Sequence, residues 1–354
     1  MNNNFWLKLK KKGCILALAP MAGITDSAFR VLCREMGADV VYSEMVSADA
    51  LYYDSKKTIE MLKINKKEHP VVVQLFGKRP ELFGKAARIA MDAGADGIDI
   101  NFGCPAKKVV NHGGGVTLMR DLPLCKKIVQ SVLDAVNIPV SVKIRSGINT
   151  NQCEFESESA RKRKITAVDF VKCIIDLPIA AIMIHGRTYE QGFSGEPDYR
   201  MIKRVVELAK TSFFSHPQRR GNIVVLGNGG IKEPDDAKKM LDKTSVDGIG
   251  IGQGVFGRPW IFREIKEYVK KNANQFGDSY LNGDCHQPQL SHDEIKKIAL
   301  RHAKLAYKMK SGHGIVEMRK HLLWYVKGWT DAKELREKLV RVESVEDVKR
   351  VLSI

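Results

Sequence analysis

One cysteine stands out because its neighbours are compatible with a chemical role. Cys104 lies in NFGCPAKKV (101–109), between a glycine and a proline, directly after an apolar run and before two lysines. A disulfide, a metal site, a buried thiol and a reactive thiol all fit this local pattern. An unperturbed thiol is mostly protonated at neutral pH and is therefore also a fitting proton donor. The choice among these alternatives depends on the rest of the chain.

The other cysteines argue against a disulfide and against a metal site. The chain has seven cysteines, an odd number, and no CxxC pair. No cysteine and histidine residues have the spacing of a zinc site. The basic stretch before CILALAPMAG (14–23) resembles a secretion signal, but its apolar run is too short for one. The sequence therefore predicts a cytoplasmic protein with free thiols and without a bound metal.

The charge of the chain indicates a polyanionic partner. The formal net charge is +17 over 354 residues. Nucleic acid is favoured over a membrane, because no apolar run approaches the length of a membrane span. A basic protein that is merely soluble is equally compatible with the charge alone.

Short apolar runs recur along the chain, and amphipathic helical segments separate most of them. Eight strand–helix units over about 260 residues match the size of a (β/α)8 barrel, and a doubly wound sheet is the alternative. We predict an α/β fold in which a (β/α)8 TIM barrel (1–262) precedes a small all-α helical domain (263–354). The predicted strands are Ile15–Ala19, Val40–Tyr42, Val71–Leu75, Gly97–Ile100, Val140–Ile144, Ala181–Ile184, Ile223–Leu226 and Asp247–Ile251.

The C-terminal region has the pattern of helices. SHDE (291–294) predicts a capping box, in which Ser291 and Glu294 begin a helix. In MRKHLLWYVKG (318–328), helical spacing places Lys320, Trp324 and Lys327 opposite the predicted core. This face suits an RNA backbone and a stacked base, but a solvated lysine face with a half-buried tryptophan is an equal alternative.

Polar residues end or follow six of the predicted strands. The active sites of TIM barrels lie at this end of the strands. The last two strands lead into the glycine-rich loops GNGGI (227–231) and GQGVFG (252–257), where backbone N–H groups can approach an oxyanion closely. These loops predict a phosphate-bearing cofactor or substrate. The polar residues are Gln74, Asn101, Lys143, Arg145, His185, Asn228 and Gln253.

Several segments together resemble one enzyme family. In order along the chain, they are similar to the flavin-dependent tRNA-dihydrouridine synthases, most closely the bacterial B-type subgroup. MRKHLLWYVKG resembles the signature of that family's helical domain. The other segments are LAPMAGITDSAFR (18–30), VVQLFG (72–77), IDINFGCPAKKV (98–109), VKIRSG (142–147), IHGRT (184–188), GNGG (227–230) and GRPWIFREI (257–265).

The resemblance implies an FMN-binding barrel, a helical tRNA-binding domain and NADPH as the reductant. It identifies Cys104 with the family's catalytic cysteine. The expected FMN contacts are Pro20, Met21, Ala22, Gln74, Lys143 and His185, and the expected phosphate contacts are Asn228, Gly229, Gly230, Gly252 and Gln253.

The implied reaction reduces the C5=C6 bond of specific uridines in tRNA to 5,6-dihydrouridine. Because this bond is conjugated with the C4 carbonyl, a hydride adds at C6 and negative charge collects at C5. We expect N5 of reduced FMN to deliver the hydride and Cys104 to protonate C5. The expected substrate contacts are Asn101 and Arg145 at the uracil, and Lys107, Lys108, Arg319, Lys320 and Lys327 along the RNA.

The sequence departs from the family pattern at three places. Gly230 and Gln253 stand where the family often has Asp and usually has Arg, and residues 149–166 form a longer, more charged fifth loop. Backbone N–H groups that hold a phosphate would tolerate the first two changes. The alternative functions are an FMN barrel oxidoreductase of small pyrimidines and a catalytically inactive tRNA-binding module.

Overall fold

Eight parallel strands follow one another around a closed barrel, and the last strand pairs with the first. The structure is a computed structural model that describes residues 4–149, 165–215, 223–273 and 290–354. Most of the charged fifth loop, Cys153 and Cys285 therefore lie outside the described residues. The strands are β1 Ile15–Leu18, β2 Val40–Ser47, β3 Val71–Phe76, β4 Gly97–Phe102, β5 Val140–Arg145, β6 Ala181–His185, β7 Val224–Asn228 and β8 Gly248–Ile251.

Helices alternate with these strands, so the predicted TIM barrel is confirmed. The predicted C-terminal helices are also present, and Ser291 and Glu294 form the predicted capping box. The helices are α1 Phe5–Lys11, α2 Ser27–Glu35, α3 Ala48–Tyr52, α4 Lys56–Glu60, α5 Pro80–Asp92, α6 Lys107–Asn111, α7 Leu122–Ala135, α8 Ala167–Ile174, α9 Tyr199–Ser215, α10 Pro234–Thr244, α11 Ile261–Ala273, α12 His292–Tyr325, α13 Ala332–Leu339 and α14 Val345–Leu352.

The strand β2 extends further than its apolar run predicts. The run ends at Tyr42, whereas the strand continues to Ser47. A shift of register between Tyr42 and Met45 lets the later residues pair with β3. Hydrogen bonding across the ladder therefore holds a segment whose polar Ser43 and Glu44 break the hydrophobic pattern.

The interior of the barrel is filled at its N-terminal end. Trp6 of α1 is fully buried there, and its ring lies 6.3 Å from that of Tyr42. Apolar side chains of β1, β2, β3, β6 and β7 complete this cluster. Because the N-terminal end is packed with side chains, the opposite end is the place for a cavity.

The C-terminal helices pack against the barrel through α12. Phe29 of α2 contacts the rings of His302 and His321, at centroid distances of 5.4 and 4.6 Å. Trp324 stacks on Phe256 of the loop after β8, with the rings 4.1 Å apart and nearly parallel. Buried residues of these helices belong to the same continuous core as the outer layer of the barrel.

The predicted division at residues 262 and 263 falls inside α11. This helix packs against α10 of the barrel, so its first half and its second half belong to one element. The assignment of 1–262 and 263–354 to separate domains stays a prediction. In the part of the chain that the structure describes, no helix is both long enough and apolar enough to span a bilayer.

Candidate active site

A cavity of about 560 Å³ opens at the C-terminal end of the barrel. This volume lies within the range of small-molecule and cofactor sites. The cavity brings together the predicted catalytic cysteine, all the predicted cofactor contacts and both predicted uracil contacts. Their chemical roles stay predictions. These lining residues are Pro20, Met21, Ala22, Gln74, Asn101, Cys104, Lys143, Arg145, His185, Asn228, Gly229, Gly230, Gly252 and Gln253.

The loop that carries Cys104 is held from two sides. The amides of Gly103 and Cys104 donate to Oδ1 of Asn101, at 3.0 and 2.8 Å. On the other side, the amide of Val116 donates to the Cys104 carbonyl. A Cβ atom at Gly115 would lie 2.6 Å from that carbonyl oxygen, so only glycine permits this approach. Cys104 therefore follows β4 in a defined position.

The surroundings of Cys104 favour its protonated form. Burial raises the pKa of the half-buried Cys104 thiol, against the opposing effects of the Ala106 backbone and the charges of Lys143 and Arg145. A thiol with a raised pKa keeps its proton at neutral pH, as a proton donor must. Lys107 and Lys108 are exposed and do not line the cavity.

Three cations and a neutral histidine line one side of the cavity. Burial lowers the pKa of Lys143 to about 8, and the neighbouring Arg145 adds to this effect while Asp99 opposes it. Burial, followed by the charges of Lys143, Arg145 and Arg187, lowers the pKa of His185 to about 2. His185 is therefore neutral at physiological pH. Concentrated positive charge in a partly desolvated cavity favours an anionic ligand.

Arg145 is fastened to the backbone around it. Its Nε donates to the Gly103 carbonyl at 2.9 Å, and its Nη1 donates to the carbonyls of Thr188 and Gly192, each at 2.8 Å. The residue is only 2% exposed. Arg145 therefore ties the cysteine loop to the loop after β6, whatever contact it also makes with a substrate.

The loop after β7 forms a cradle of backbone N–H groups. Gly229 and Gly230 have φ angles of +107° and +77°, and a Cβ atom on Gly229 would lie 2.5 Å from the His185 ring. Among the described residues, neither glycine amide has a hydrogen-bond acceptor. The guanidinium of Arg187 lies beside them, since Nη1 is 3.4 Å from the Cβ position of Gly229. Free amides next to a guanidinium fit a phosphate group.

The cavity therefore fits a flavin mononucleotide on the chemistry of its donors. The amides and Arg187 suit the phosphate, and the half-buried charge of Lys143 suits an anionic ring. Pro20, Met21 and Ala22 add an apolar wall.

Several lining residues were not identified from the sequence. Arg187 is two residues beyond His185 in IHGRT, and the alternation of side chains in an extended chain is the signal that could have identified it. Met45, Phe193 and Lys232 also line the cavity. Met45 lies in the polar part of β2, and the other two lie in loops, where periodicity carries no information about direction.

The predicted RNA contacts lie outside the cavity. Lys107, Lys108 and Lys327 are exposed. The Nζ atom of Lys320 is 3.9 Å from the position of a Cβ atom on Gly23, at the rim of the cavity. Trp324 is half-buried against Phe256, as described above.

Arg319 differs from the lysines because protein groups already bind it. Its Nε donates to the Val342 carbonyl at 2.9 Å, and Nη2 lies 3.6 Å from the Glu343 carboxylate. An RNA phosphate would have to share this guanidinium. Within the described ranges, no three histidine, cysteine, aspartate or glutamate side chains are grouped as a metal site.

Comparison with known proteins gives consistent matches over nearly the whole chain. The family Dihydrouridine synthase (Dus) matches residues 17–354. A protein named tRNA-dihydrouridine synthase B from Pseudomonas aeruginosa is 35% identical, over 94% of this chain and 89% of its own length. Its namesake from Shewanella oneidensis is 36% identical, over 88% of this chain and 86% of its own length.

Solved structures match the fold at much lower sequence identity. Histamine dehydrogenase from Rhizobium sp. 4-9 has a TM-score of 0.51 and 12% identity, over 73% of this chain. An amine oxidase from Pseudomonas geniculata N1 has a TM-score of 0.50 and 16% identity, over 72% of this chain. The chain spans less than half the length of these two proteins, 46% and 47%. This likeness concerns the barrel fold alone.

Proposed function

The chain belongs to the dihydrouridine synthase family, and from that premise we propose that it reduces uridines in tRNA to 5,6-dihydrouridine, with FMN as cofactor and NADPH as reductant. The observation that carries the proposal is the position of Cys104. Its protonated thiol lines the same cavity as a cluster of cations and the cradle of amides at Gly229 and Gly230. We place the reaction in the cytoplasm, where thiols stay reduced.

The cofactor contacts follow from the cavity. FMN, when bound, supplies the hydride that adds to C6 of the uracil ring. The amides of Gly229 and Gly230, with Arg187, would hold its phosphate. The predicted contacts Asn228, Gly252 and Gln253 line the same cavity, and their backbone groups would contribute to the binding. Binding by backbone N–H groups would tolerate Gly230 and Gln253 in place of the acidic and basic residues of the family pattern.

Cys104 donates the proton. When a hydride has added to C6, negative charge collects at C5, and the thiol proton moves from Sγ to that carbon. A positioned acid of this kind contributes roughly 10²–10⁴-fold to a rate. The raised pKa keeps the thiol protonated between turnovers, and Asn101 and Arg145 hold the loop that carries it.

Lys143 and His185 provide two different kinds of group. Lys143 brings a half-buried positive charge, which stabilises negative charge on a bound ring. His185 is neutral, so it contributes one hydrogen-bond donor and one acceptor without adding charge.

The substrate has to be extracted from folded RNA. A stacked or paired uridine must turn out into the cavity, at a cost of a few kcal/mol. Contacts with RNA phosphates offset this cost, and our candidates for these contacts are Lys107, Lys108, Arg319, Lys320 and Lys327.

The test combines spectroscopy with product analysis. We expect the pure protein to bind FMN with a visible absorption spectrum, to be reduced by NADPH, and to form dihydrouridine in unmodified tRNA, as detected by nucleoside mass spectrometry. Turnover of free uridine or orotate without turnover of tRNA would favour the small-pyrimidine oxidoreductase. Binding of tRNA by a protein that takes up no FMN would favour an inactive binding module.

A further inference from the structure

A line of buried hydrogen bonds begins inside the barrel, below the cavity. Gln74 of β3, Asp99 of β4 and Ser141 of β5 are register partners on three neighbouring strands. The Asp99 carboxylate accepts from Gln74 Nε2 at 2.7 Å and from Ser141 Oγ at 2.6 Å. All three residues are buried, and Asp99 does not line the cavity.

The same line continues to the cysteine loop. Oε1 of Gln74 accepts from Nδ2 of Asn101 at 2.8 Å. Oδ1 of Asn101 accepts from the amides of Gly103 and Cys104. Asp99 and Asn101 are two residues apart on β4, so their side chains lie on the same face of the strand. Two side-chain amides therefore connect the Asp99 carboxylate with the backbone of Cys104.

The carboxylate gives this line its direction. An ionised carboxylate only accepts hydrogen bonds, so the NH₂ group of Gln74 must face Asp99. The carbonyl of Gln74 then faces the NH₂ group of Asn101, and the carbonyl of Asn101 faces the loop. If the amide group of Gln74 or Asn101 were reversed, two donors or two acceptors would face each other. A buried unsatisfied group costs about 1–3 kcal/mol.

Asp99 is ionised at neutral pH despite its burial. Burial raises the pKa of Asp99 to about 6, against hydrogen bonds from Gln74 and Ser141. The charge of Lys143 on β5 also stabilises the ionised form. On β2, burial raises the pKa of Tyr42 well above its ordinary value, so this neighbouring phenol stays neutral.

We infer that Asp99 is a positioning residue, which orients the Cys104 loop through Gln74 and Asn101. The inference deepens the proposed function and rests on it, because it concerns how the proton donor is held. Asp99 acts through the two amides, and its substitution affects the proton-transfer step rather than the binding of tRNA.

Hydrogen exchange and kinetics together test the inference. Asp99→Leu removes the acceptor at similar volume. We expect the amides of Gly103 and Cys104 to exchange about 10–100-fold faster, and single-turnover formation of dihydrouridine to fall by about the same factor. The KM for tRNA should stay within about twofold, because an interaction that acts on the chemical step changes kcat.

Asp99→Asn is the conservative variant that separates orientation from general damage. Its carbonyl can still accept from Gln74, and its NH₂ group can donate to Ser141 Oγ. We expect exchange and turnover to return to within about threefold of the wild type. Ser141→Ala is the matched control, because it removes the other hydrogen bond of Asp99 and leaves the line to Cys104 intact.

A second variant keeps the inference testable if Asp99→Leu does not fold. Gln74→Met breaks the line at its next link, and exchange at Cys104 is measured without flavin or tRNA. Unchanged exchange in Gln74→Met or Asp99→Leu would overturn the inference, as would Asp99→Asn being as impaired as Asp99→Leu. If these variants exchange faster but the wild-type protein reduces no uridine, the positioning role is supported and the proposed function is rejected.

Discussion

At the scale of single residues, the protonation state of Cys104 and the position of its loop have separate causes. Burial keeps the thiol protonated, although Lys143 and Arg145 lie near it. The position of the loop comes from hydrogen bonds to its backbone. Asn101 accepts from the Cys104 amide, and Arg145 donates to the Gly103 carbonyl. Arg145 lines the cavity and, through the Gly103 carbonyl, also braces the loop that carries Cys104.

We predict that Arg145→Lys impairs both stability and turnover. A lysine has no fork of donors, so it cannot join Gly103 to Thr188 and Gly192. The free energy of unfolding should fall by about 2–4 kcal/mol, from two or three lost charge-assisted hydrogen bonds. Denaturant unfolding and the kcat for tRNA measure the two effects.

The control for this prediction is Arg204→Lys, at an exposed position on α9. It should leave both quantities unchanged. Full stability with reduced affinity for tRNA in Arg145→Lys would show that Arg145 acts on the substrate and not on the loop.

At the scale of elements, the contact between α2 and α12 buries two histidines. Burial lowers the pKa of His302 to about 4, and it lowers the pKa of His321 well below its ordinary value. The Tyr325 hydroxyl lies 3.2 Å from Nδ1 of His302. Both rings also contact Phe29. Both histidines are therefore neutral in the folded protein.

We predict that acid weakens this contact. The unfolded chain binds protons at these histidines below about pH 6.5, whereas the folded protein does not, so stability falls as the pH falls. A shift of the His302 pKa from 6.5 to about 4 corresponds to a loss of about 3 kcal/mol between those pH values. Denaturant unfolding between pH 7 and pH 4 measures it.

His302→Gln tests the source of this pH dependence. The glutamine does not titrate, so the slope of stability against pH should decrease by about one proton. His313→Gln is the control, because His313 is exposed on the same helix. An unchanged slope in His302→Gln would place the acid sensitivity elsewhere.

The elements differ in how far the sequence predicts them. Buried parallel strands are continuous apolar runs, so all eight were predictable, and so was the capping box of α12. The end of β2 was not, because a register shift between Tyr42 and Met45, in the pairing of β2 with β3, decides it. The interruption of α12 at Ser311, where φ is +52°, was not predicted, although Ser311 precedes Gly312 and such pairs often mark helix kinks.

The residues of the site also differ in how far the sequence predicts them. Residues at strand ends could be predicted, because the barrel puts them on one face. Lys232 and Phe193 could not, since loops decide where they lie. The partners of Arg145 and Arg319 depend on carbonyl groups of distant segments, which no residue type reveals.

At the scale of the whole molecule, the effect of the net charge of +17 on tRNA binding depends on where the basic residues lie. Lys107 and Lys108 of α6 lie at the cavity end of the barrel, and Lys11 and Lys12 lie at the opposite end with α1. All four side chains are exposed. Variants with the same change of net charge at either end therefore distinguish local contacts with RNA from attraction by the overall charge.

We predict that Lys107→Glu with Lys108→Glu weakens tRNA binding about 10–100-fold at low salt and lowers its salt dependence. Lys11→Glu with Lys12→Glu is the matched control, with the same change in net charge, and should change the affinity by less than about threefold. Filter binding across a salt series measures both. Equal losses in the two variants would mean that only the overall charge attracts the RNA.

The most direct measurement of the central claim is a single turnover of Cys104→Ala, reduced beforehand by NADPH and then mixed with unmodified tRNA. We predict that reduction by NADPH is unchanged and that dihydrouridine forms about 10²–10⁴-fold more slowly, because the acid for C5 is missing. Cys173→Ala, a half-buried cysteine of α8 outside the cavity, should react like the wild type. Dihydrouridine formation by Cys104→Ala at the wild-type rate would contradict the assignment of Cys104 as the proton donor.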